Sequence, residues 1–497
     1  MCDAINEILK NVIKHKSNVN DHGEKTKPNL GLIALLTLWA VWILRSGYWL
    51  WLEIANPLMT AKRIGLGFCF VLLTSFGGLI LYTLFQKVKQ PTLALAFILG
   101  GTFLIRLAYI TLIPTRPQSD FLVYHSMAIQ FVQGDYQNSY DRPMGYPLLL
   151  SIFYRWLPDA LAGRLLNVFL STLIVLLGYF LGKRIHSSSL GLISAYLLAV
   201  YPAEIMMTSV LATETAASLC ITAAFLSFLS NQTKNGSKLA VVFMGFSLSI
   251  GFILRTAYLI YFPLFLLLIA WQERKVLKTM WSKLSCTLLS FVIPIALFLT
   301  YCATLLGGFS FKPLSSSVSY FPFLAGTGKI VNNSFAKDSK IYSSWPENKR
   351  AILSFNTAWD RIRSNPLKAI RVAIEKIDSM FGSDRYALMW SFDSVKTRLS
   401  KVQLLTLRMG FTVWAQLTKL ALLLFGGVGL IYFWKTNRMV LWAIVSLILV
   451  TLLPHLILEA QGRYRHQLNP TMALLAAGGL MYVREVVRAK RITSNPF

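Results

Sequence analysis

Residues 163–230 read GRLLNVFLSTLIVLLGYFLGKRIHSSSLGLISAYLLAVYPAEIMMTSVLATETAASLCITAAFLSFLS, and this stretch decides the fold. Three apolar runs, 163–183, 189–206 and 208–230, are separated only by the basic corner after Gly182 and by Tyr201-Pro202. A helix needs about 20 apolar residues to cross a hydrocarbon layer of about 30 Å, and a helix apolar on every face is not a surface helix of a soluble domain. The pattern recurs on both sides, at 31–52, 64–85 and 92–113, then at 239–255, 257–272, 284–306, 411–434, 439–458 and 468–484. The expected fold class is therefore an all-α polytopic membrane protein with about twelve transmembrane helices. Composition agrees: of 497 residues 55% are hydrophobic and 14% charged, against about 25% charged in soluble domains. A soluble enzyme and a singly anchored ectodomain are both excluded.

The charge is +28, from 49 Lys+Arg against 21 Asp+Glu. Such an excess suits cytoplasmic loops and surfaces that meet anionic lipid heads or phosphates. No basic domain of nucleic-acid-binding type is present, so nucleic acid is not an expected partner. The five cysteines are scattered without a CxxC pair and read as small core hydrophobes. Basic residues in the tail, at 87–89, 183–184, 234–238, 274–283, 435–438 and 484–491 agree on one orientation, with both termini inside; Lys62 and Arg63 are the exception. The expected location is the plasma (inner) membrane.

The expected organisation is a cytoplasmic tail (1–29), two N-terminal membrane helices (30–91), a core (92–306) with an outer loop at 114–162, a large outer loop (307–410), C-terminal membrane helices (411–484) and a cytoplasmic end (485–497). Long loops in compact proteins usually carry function. In the first, Phe121, Tyr124, Ala128 and Phe131 share a helical face over 119–133, with Ser119 placed to cap it. In the second, residues 356–382 carry an amphipathic helical pattern broken at Asn365-Pro366.

Asp120 begins the first of these interfacial helices. A carboxylate there can act as a base on a lipid-borne substrate; the competing reading is a helix N-terminal carboxylate favoured by the dipole. Glu214 sits near the outer end of an apolar span, where an unpaired acid costs a few kcal/mol. It marks either a functional cavity or an ion pair with Arg106 or Arg255. Glu204, beside Tyr201-Pro202, reads as solvated. Arg106, Arg255, Arg463 and Arg465 present guanidinium forks that match phosphate oxygens. Glu459, Arg463, Arg465 and His466 crowd one short turn. His455 and His466 are too isolated to argue for a metal. No cofactor is indicated; scattered carboxylates could recruit a divalent metal, but no ligand cluster marks one. Neither GxxxxGK[ST] nor a strand-linked GxGxxG occurs, and the GTG of LAGTGK (324–329) reads as a loop turn.

The order of these segments resembles the C-type superfamily of integral-membrane glycosyltransferases. The branch is that of the protein mannosyltransferases and the lipid A aminoarabinose transferases. The resemblance rests on Asp120, Tyr124 and Gly134 followed by Arg142, Pro143, Gly145, Tyr146 and Pro147; on Glu214; and on Arg255 with Tyr258. It continues through Ile362, Asn365, Pro366 and Lys376 to Arg463, Tyr464, Arg465, Leu468 and Pro470, covering about residues 92–484. It implies transfer, with inversion, of a sugar from a polyprenyl-phosphate carrier to a protein, lipid or glycan acceptor on the outer face. Asp120 would orient or deprotonate the acceptor hydroxyl, with Glu214 shaping the same cavity. Arg463, Arg465 and Lys376 would face the carrier phosphate. Tyr124, Arg142, Tyr146, Arg255, Tyr464 and His466 would complete the substrate site. The rival readings are a lipid-linked glycan polymerase or ligase, resting on Arg and His of the later loop, and a secondary transporter. The asymmetric loops argue against the transporter.

Overall fold

A computed structural model of the chain describes residues 30–88, 90–136, 142–157, 159–231, 238–315, 320–328, 334–395 and 399–494. The expected tail 1–29 lies outside them. Every expected span is helical, the run 189–206 in two pieces. The first three are α1 (Leu30–Ile54), α2 (Ala61–Val88) and α3 (Pro91–Leu112). The first loop folds into α4 (Asp120–Val132) and α5 (Gly145–Tyr154). Then come α6 (Ala160–Ile185), α7 (Ser188–Val200), the short α8 (Pro202–Met207), α9 (Thr213–Ser230), α10 (Lys238–Leu254), α11 (Tyr261–Glu273) and α12 (Leu277–Leu306). The second loop carries α13 (Phe321–Gly326), α14 (Ser334–Ser344), α15 (Arg350–Ser364), α16 (Pro366–Phe381) and α17 (Arg385–Phe392). The chain closes with α18 (Lys401–Thr436), α19 (Arg438–Leu452), a 3₁₀ turn over Gly462–Leu468, and α20 (Asn469–Ser494). There is no β-strand among the described residues, only an isolated bridge between Thr115 and Val395.

Nine of the described helical segments are long and apolar enough to cross a membrane, fewer than the twelve runs in the sequence. The differences have local causes. Pro202 ends the run 189–206 as α7 and restarts it as α8, so α7, at 13 residues, reaches only about 20 Å at 1.5 Å per residue. The 17-residue α10 stops short at Arg255. The apolar run of α20 is bounded by Asn469-Pro470 and Arg484-Glu485, too short for a full span, and the helix continues through the basic segment expected as a terminal tail. Asn365-Pro366 breaks the second-loop pattern as expected: Asn365 accepts from the Lys368 amide and Pro366 opens α16.

Two packing features position the site. Helices α18 and α20 cross so closely that a Cβ on Gly429 would strike the Leu475 carbonyl, and one on Gly479 that of Phe425. Within lipid, where burial supplies little drive, such backbone approach is what small residues provide. Gly479→Leu is therefore expected to destabilise the bundle by at least about 1–3 kcal/mol. A matching fall in thermal midpoint of the detergent-purified protein checks this. Separately, α1 clamps the second loop: Arg45 grips Asp378 of α16 through Nε and Nη2 (2.5 and 2.8 Å). Trp42 stacks on Phe381 at 4.6 Å, and Gln416 of α18 donates to Ser46. Helix α16 carries Lys376.

Candidate active site

The site forms where the first loop, the second loop and the 3₁₀ turn before α20 meet. Residues 115–116 are held against 391–395 by the Thr115–Val395 bridge and by the Arg116 amide donating to the Ser394 carbonyl (2.9 Å). Chain direction then reverses at Ser119, whose φ of +52° is positive for a non-glycine residue. Ser119 occupies the expected cap position, but its hydroxyl makes no cap bond. The reversal presents Asp120 at the first turn of α4.

Both oxygens of Asp120 are taken by guanidinium. Arg142 Nη2 donates to Oδ1 at 2.5 Å and Arg463 Nη2 to Oδ2 at 2.9 Å. Burial alone would raise the Asp120 carboxyl, but Arg463 and Arg142 outweigh it and hold it at about 2. Glu214, at the head of α9, receives Arg255 Nη1 at 2.5 Å and stands 3.6 Å from Arg463 Nε. Arg463 thus bridges the two acids, inside a cage formed by Phe121, Trp390 and Tyr464 at 5.1–5.3 Å from its guanidinium carbon. Arg255 lies over Tyr464 from the other side at 4.9 Å. Gly145, in the Arg-Pro-Met-Gly-Tyr-Pro stretch, lets α5 rest on the Ile253 carbonyl where a Cβ would clash. That contact sets the first loop against the end of α10 beside Arg255. Tyr124 meets buried Tyr146 edge-on at 5.4 Å behind this layer.

Above the ion pairs opens a cavity of about 560 Å³. Ser119, Asp120 and Arg142 line it from the first loop, Phe321, Tyr342, Lys376 and Trp390 from the second, and Glu459, Gln461, Arg463 and Tyr464 from the final turn. Lys376 is 2% exposed and donates to the Leu456 and Ile457 carbonyls at 3.0 and 3.1 Å. Its burial lowers the ammonium to about 8.

The structure therefore brings Asp120, Arg142, Lys376, Arg463 and Tyr464 to one cavity, with Glu214 and Arg255 directly beneath. It does not bring Arg465 and His466 there. Successive residues of a 3₁₀ turn point about 120° apart, so Arg465 cannot face where Arg463 faces. Arg465 instead pairs with Asp384, which also receives the Tyr201 hydroxyl (2.6 Å) and lies 3.6 Å from Lys419. His466 stands 3.4 Å from Glu204. Glu204 itself is a correction: expected in solvent, it is 1% exposed and receives the Asn469 amide at 2.7 Å, because Pro202 starts α8 and tucks the acid beneath α17. Arg106, weighed as a partner for Glu214, lies elsewhere and donates to Ser171 and to the carbonyls of Leu198 and Ala199 at the end of α7. No group of three or more His, Cys, Asp or Glu side chains among the described residues could hold a metal ion.

Residues 141–299 match the model of a family described as dolichyl-phosphate-mannose-protein mannosyltransferase. The match covers about a third of the chain. The matched segment holds Arg142, Tyr146, Glu214 and Arg255; Asp120 and Arg463 flank it. No curated protein sequence matches. Among solved structures, the chain is similar to the archaeal oligosaccharyltransferase AglB from Archaeoglobus fulgidus, in complex with an inhibitory peptide and a dolichol-phosphate. Identity is 13% and the TM-score 0.46, over 83% of this chain and 52% of that one. It is also similar to ArnT from Cupriavidus metallidurans bound to undecaprenyl phosphate, at 12% identity and a TM-score of 0.39, over 78% and 77%. The chain spans about half the length of the archaeal enzyme.

Proposed function

We propose that this protein is a membrane glycosyltransferase that moves a sugar from a polyprenyl-phosphate carrier to a hydroxyl of a protein, lipid or glycan acceptor, with inversion, on the outer face of the plasma membrane. One observation carries the reading: a carboxylate and a phosphate-matching guanidinium, Asp120 and Arg463, are joined at the wall of one cavity that a further cation, Lys376, also lines. A phosphate-linked sugar brings its own leaving group, so the protein need only orient the acceptor and neutralise the phosphate charge that grows as the bond breaks. Arg463 and Lys376 supply the positive charge. Asp120 supplies the negative group beside the sugar carbon, where positive charge develops.

Mass spectrometry of surface glycans and glycolipids, in cells with and without the protein, tests this. The expected result is the loss of one sugar-sized mass increment; an unchanged profile, or uptake of an intact solute into liposomes with no bond broken, would contradict it. Lys376 adds a pH signature. Because burial lowers its ammonium, it is cationic at pH 7 and loses its charge as pH rises through about 8. Affinity for undecaprenyl phosphate is expected to fall about tenfold between pH 7 and 9. In Lys376→Gln it should be weak at both pH values and flat between them, as read by calorimetry on the reconstituted protein.

A further inference from the structure

The acceptor hydroxyl must lose a proton, and Asp120 is poorly placed to take it: both of its oxygens are held by guanidinium, which weakens it as a base. A second carboxylate lines the same cavity. Glu459 lies four residues before Arg463, in the loop between α19 and the 3₁₀ turn. Asp120 and Glu214 each make two ion pairs, whereas Glu459 makes none among the described residues. Gln461 Nε2 donates to its Oε1 at 2.5 Å; no bond to its other oxygen is found among the described residues.

Its backbone is fixed on both sides. The Glu459 amide donates to the Pro322 carbonyl at 2.7 Å, and its carbonyl accepts from His455 Nδ1 at 2.6 Å. Gly326 of α13 lies against residues 457–459 so closely that a Cβ would overlap their backbone. Lys376 holds the carbonyls of the two preceding residues but one, Leu456 and Ile457. The backbone that carries the carboxylate is thus fixed by three separate segments, a degree of anchoring that a solvated loop acid does not need.

We propose that Glu459 is the catalytic residue that accepts the proton of the attacking hydroxyl, while Asp120 orients the reactants. This rests on the function proposed above. In the step, the acceptor O–H proton passes to the Glu459 carboxylate and the freed oxygen pair forms the bond to the sugar's anomeric carbon. The bond from that carbon to the phosphate oxygen breaks, and its electron pair leaves with the polyprenyl phosphate, beside Arg463 and Lys376. Glu459 then returns its proton to water. The titratable and charged groups around Glu459 are Asp120 from α4, Arg142 before α5, Arg255 after α10, Tyr342 from α14, Lys376 from α16, His455 after α19, and Arg463 and Tyr464 from the final turn. Burial raises the Glu459 carboxyl, Asp120 raises it further, and Gln461, Arg463 and Arg255 offset only part of this. The two cavity acids are thereby pushed in opposite directions, as an acid–base division of labour requires.

The test uses the full-length protein in liposomes, with a polyprenyl-phosphate-linked radiolabelled sugar, a membrane extract as acceptor source, and undecaprenyl phosphate as binding probe. Glu459→Gln is expected to lower transfer by about 10²-fold or more, with undecaprenyl phosphate affinity unchanged within about twofold. Glu459→Asp should recover part of the rate. The unmodified enzyme should lose rate as pH falls through a range above that of ordinary carboxylates, and Glu459→Gln should lack that limb. Full transfer by Glu459→Gln while Asp120→Asn is inactive overturns this assignment alone, as does loss of probe binding along with transfer, which would make Glu459 a structural group. No transfer by the unmodified protein would overturn the parent reading with it.

Discussion

Asp120→Asn lowers sugar transfer by about 10²-fold to 10⁴-fold while the protein remains folded and inserted. Asparagine keeps the size of the side chain and one carbonyl oxygen, so the reversal at Ser119 and the start of α4 persist. What disappears is the negative charge between Arg142 and Arg463 (2.5 and 2.9 Å). Neither arginine is stranded: Arg463 keeps Glu214 and its aromatic cage, and Arg142 keeps partial contact with solvent at 17% side-chain exposure. The loss therefore falls on chemistry more than on folding. The pH dependence carries the same signature. Asp120 is lowered in the fold to about 2 from an ordinary value of 3.8. Its contribution to stability is fully present above that ordinary value and is lost only as pH falls through about 2. Any acid limb of activity near neutral pH belongs to another group. Transfer rate, with size-exclusion and thermal midpoint as controls for folding, checks both statements.

Arg463→Met has the second largest effect, and it strikes stability and carrier binding together. Arg463 is nearly buried, touches both cavity acids, and stands between Phe121, Trp390 and Tyr464. Removing one member of a buried charge group costs about 3–5 kcal/mol, because the partners stay buried without it. A charge-assisted bond to a phosphate oxygen adds about 1.5–3 kcal/mol to binding, so undecaprenyl phosphate affinity should fall roughly 10-fold to 100-fold. Arg463→Lys should rescue little: a single ammonium cannot reach Asp120 with one edge and Glu214 with the other. Calorimetric binding and thermal unfolding of the two variants, side by side, read the two losses separately.

The membrane helices are legible because lipid demands long apolar runs, and the boundary at Asn365-Pro366 is legible because proline at a helix start leaves a local mark. Asp120, Glu214 and Arg463 stand out for a related reason: each is a charge set in or beside apolar sequence, where an unmatched charge is costly. Arg142 has no such mark. It lies in a polar loop, and only the match in motif order singles it out; its role as the second clamp on Asp120 comes from the return of α5 over α10 at Gly145. Phe321, Tyr342 and Trp390 belong to a long loop whose path over the cavity no periodicity encodes. Arg465 misleads by proximity, since two residues along a 3₁₀ turn change the face entirely. Glu204 misleads because its partner, Asn469, is distant in the chain. Glu459 carried a signal, an acid crowded into the same turn as Arg463, but its direction depends on contacts from α13 and α16.

The most direct measurement is the fate of the label when purified protein in liposomes receives a polyprenyl phosphate bearing a radiolabelled sugar together with acceptor-containing membranes. The account predicts label appearing on the acceptor and free polyprenyl phosphate in equal amount, with Asp120→Asn blocking both. A donor that stays intact, or label that moves equally well without the Asp120 carboxylate, would contradict it.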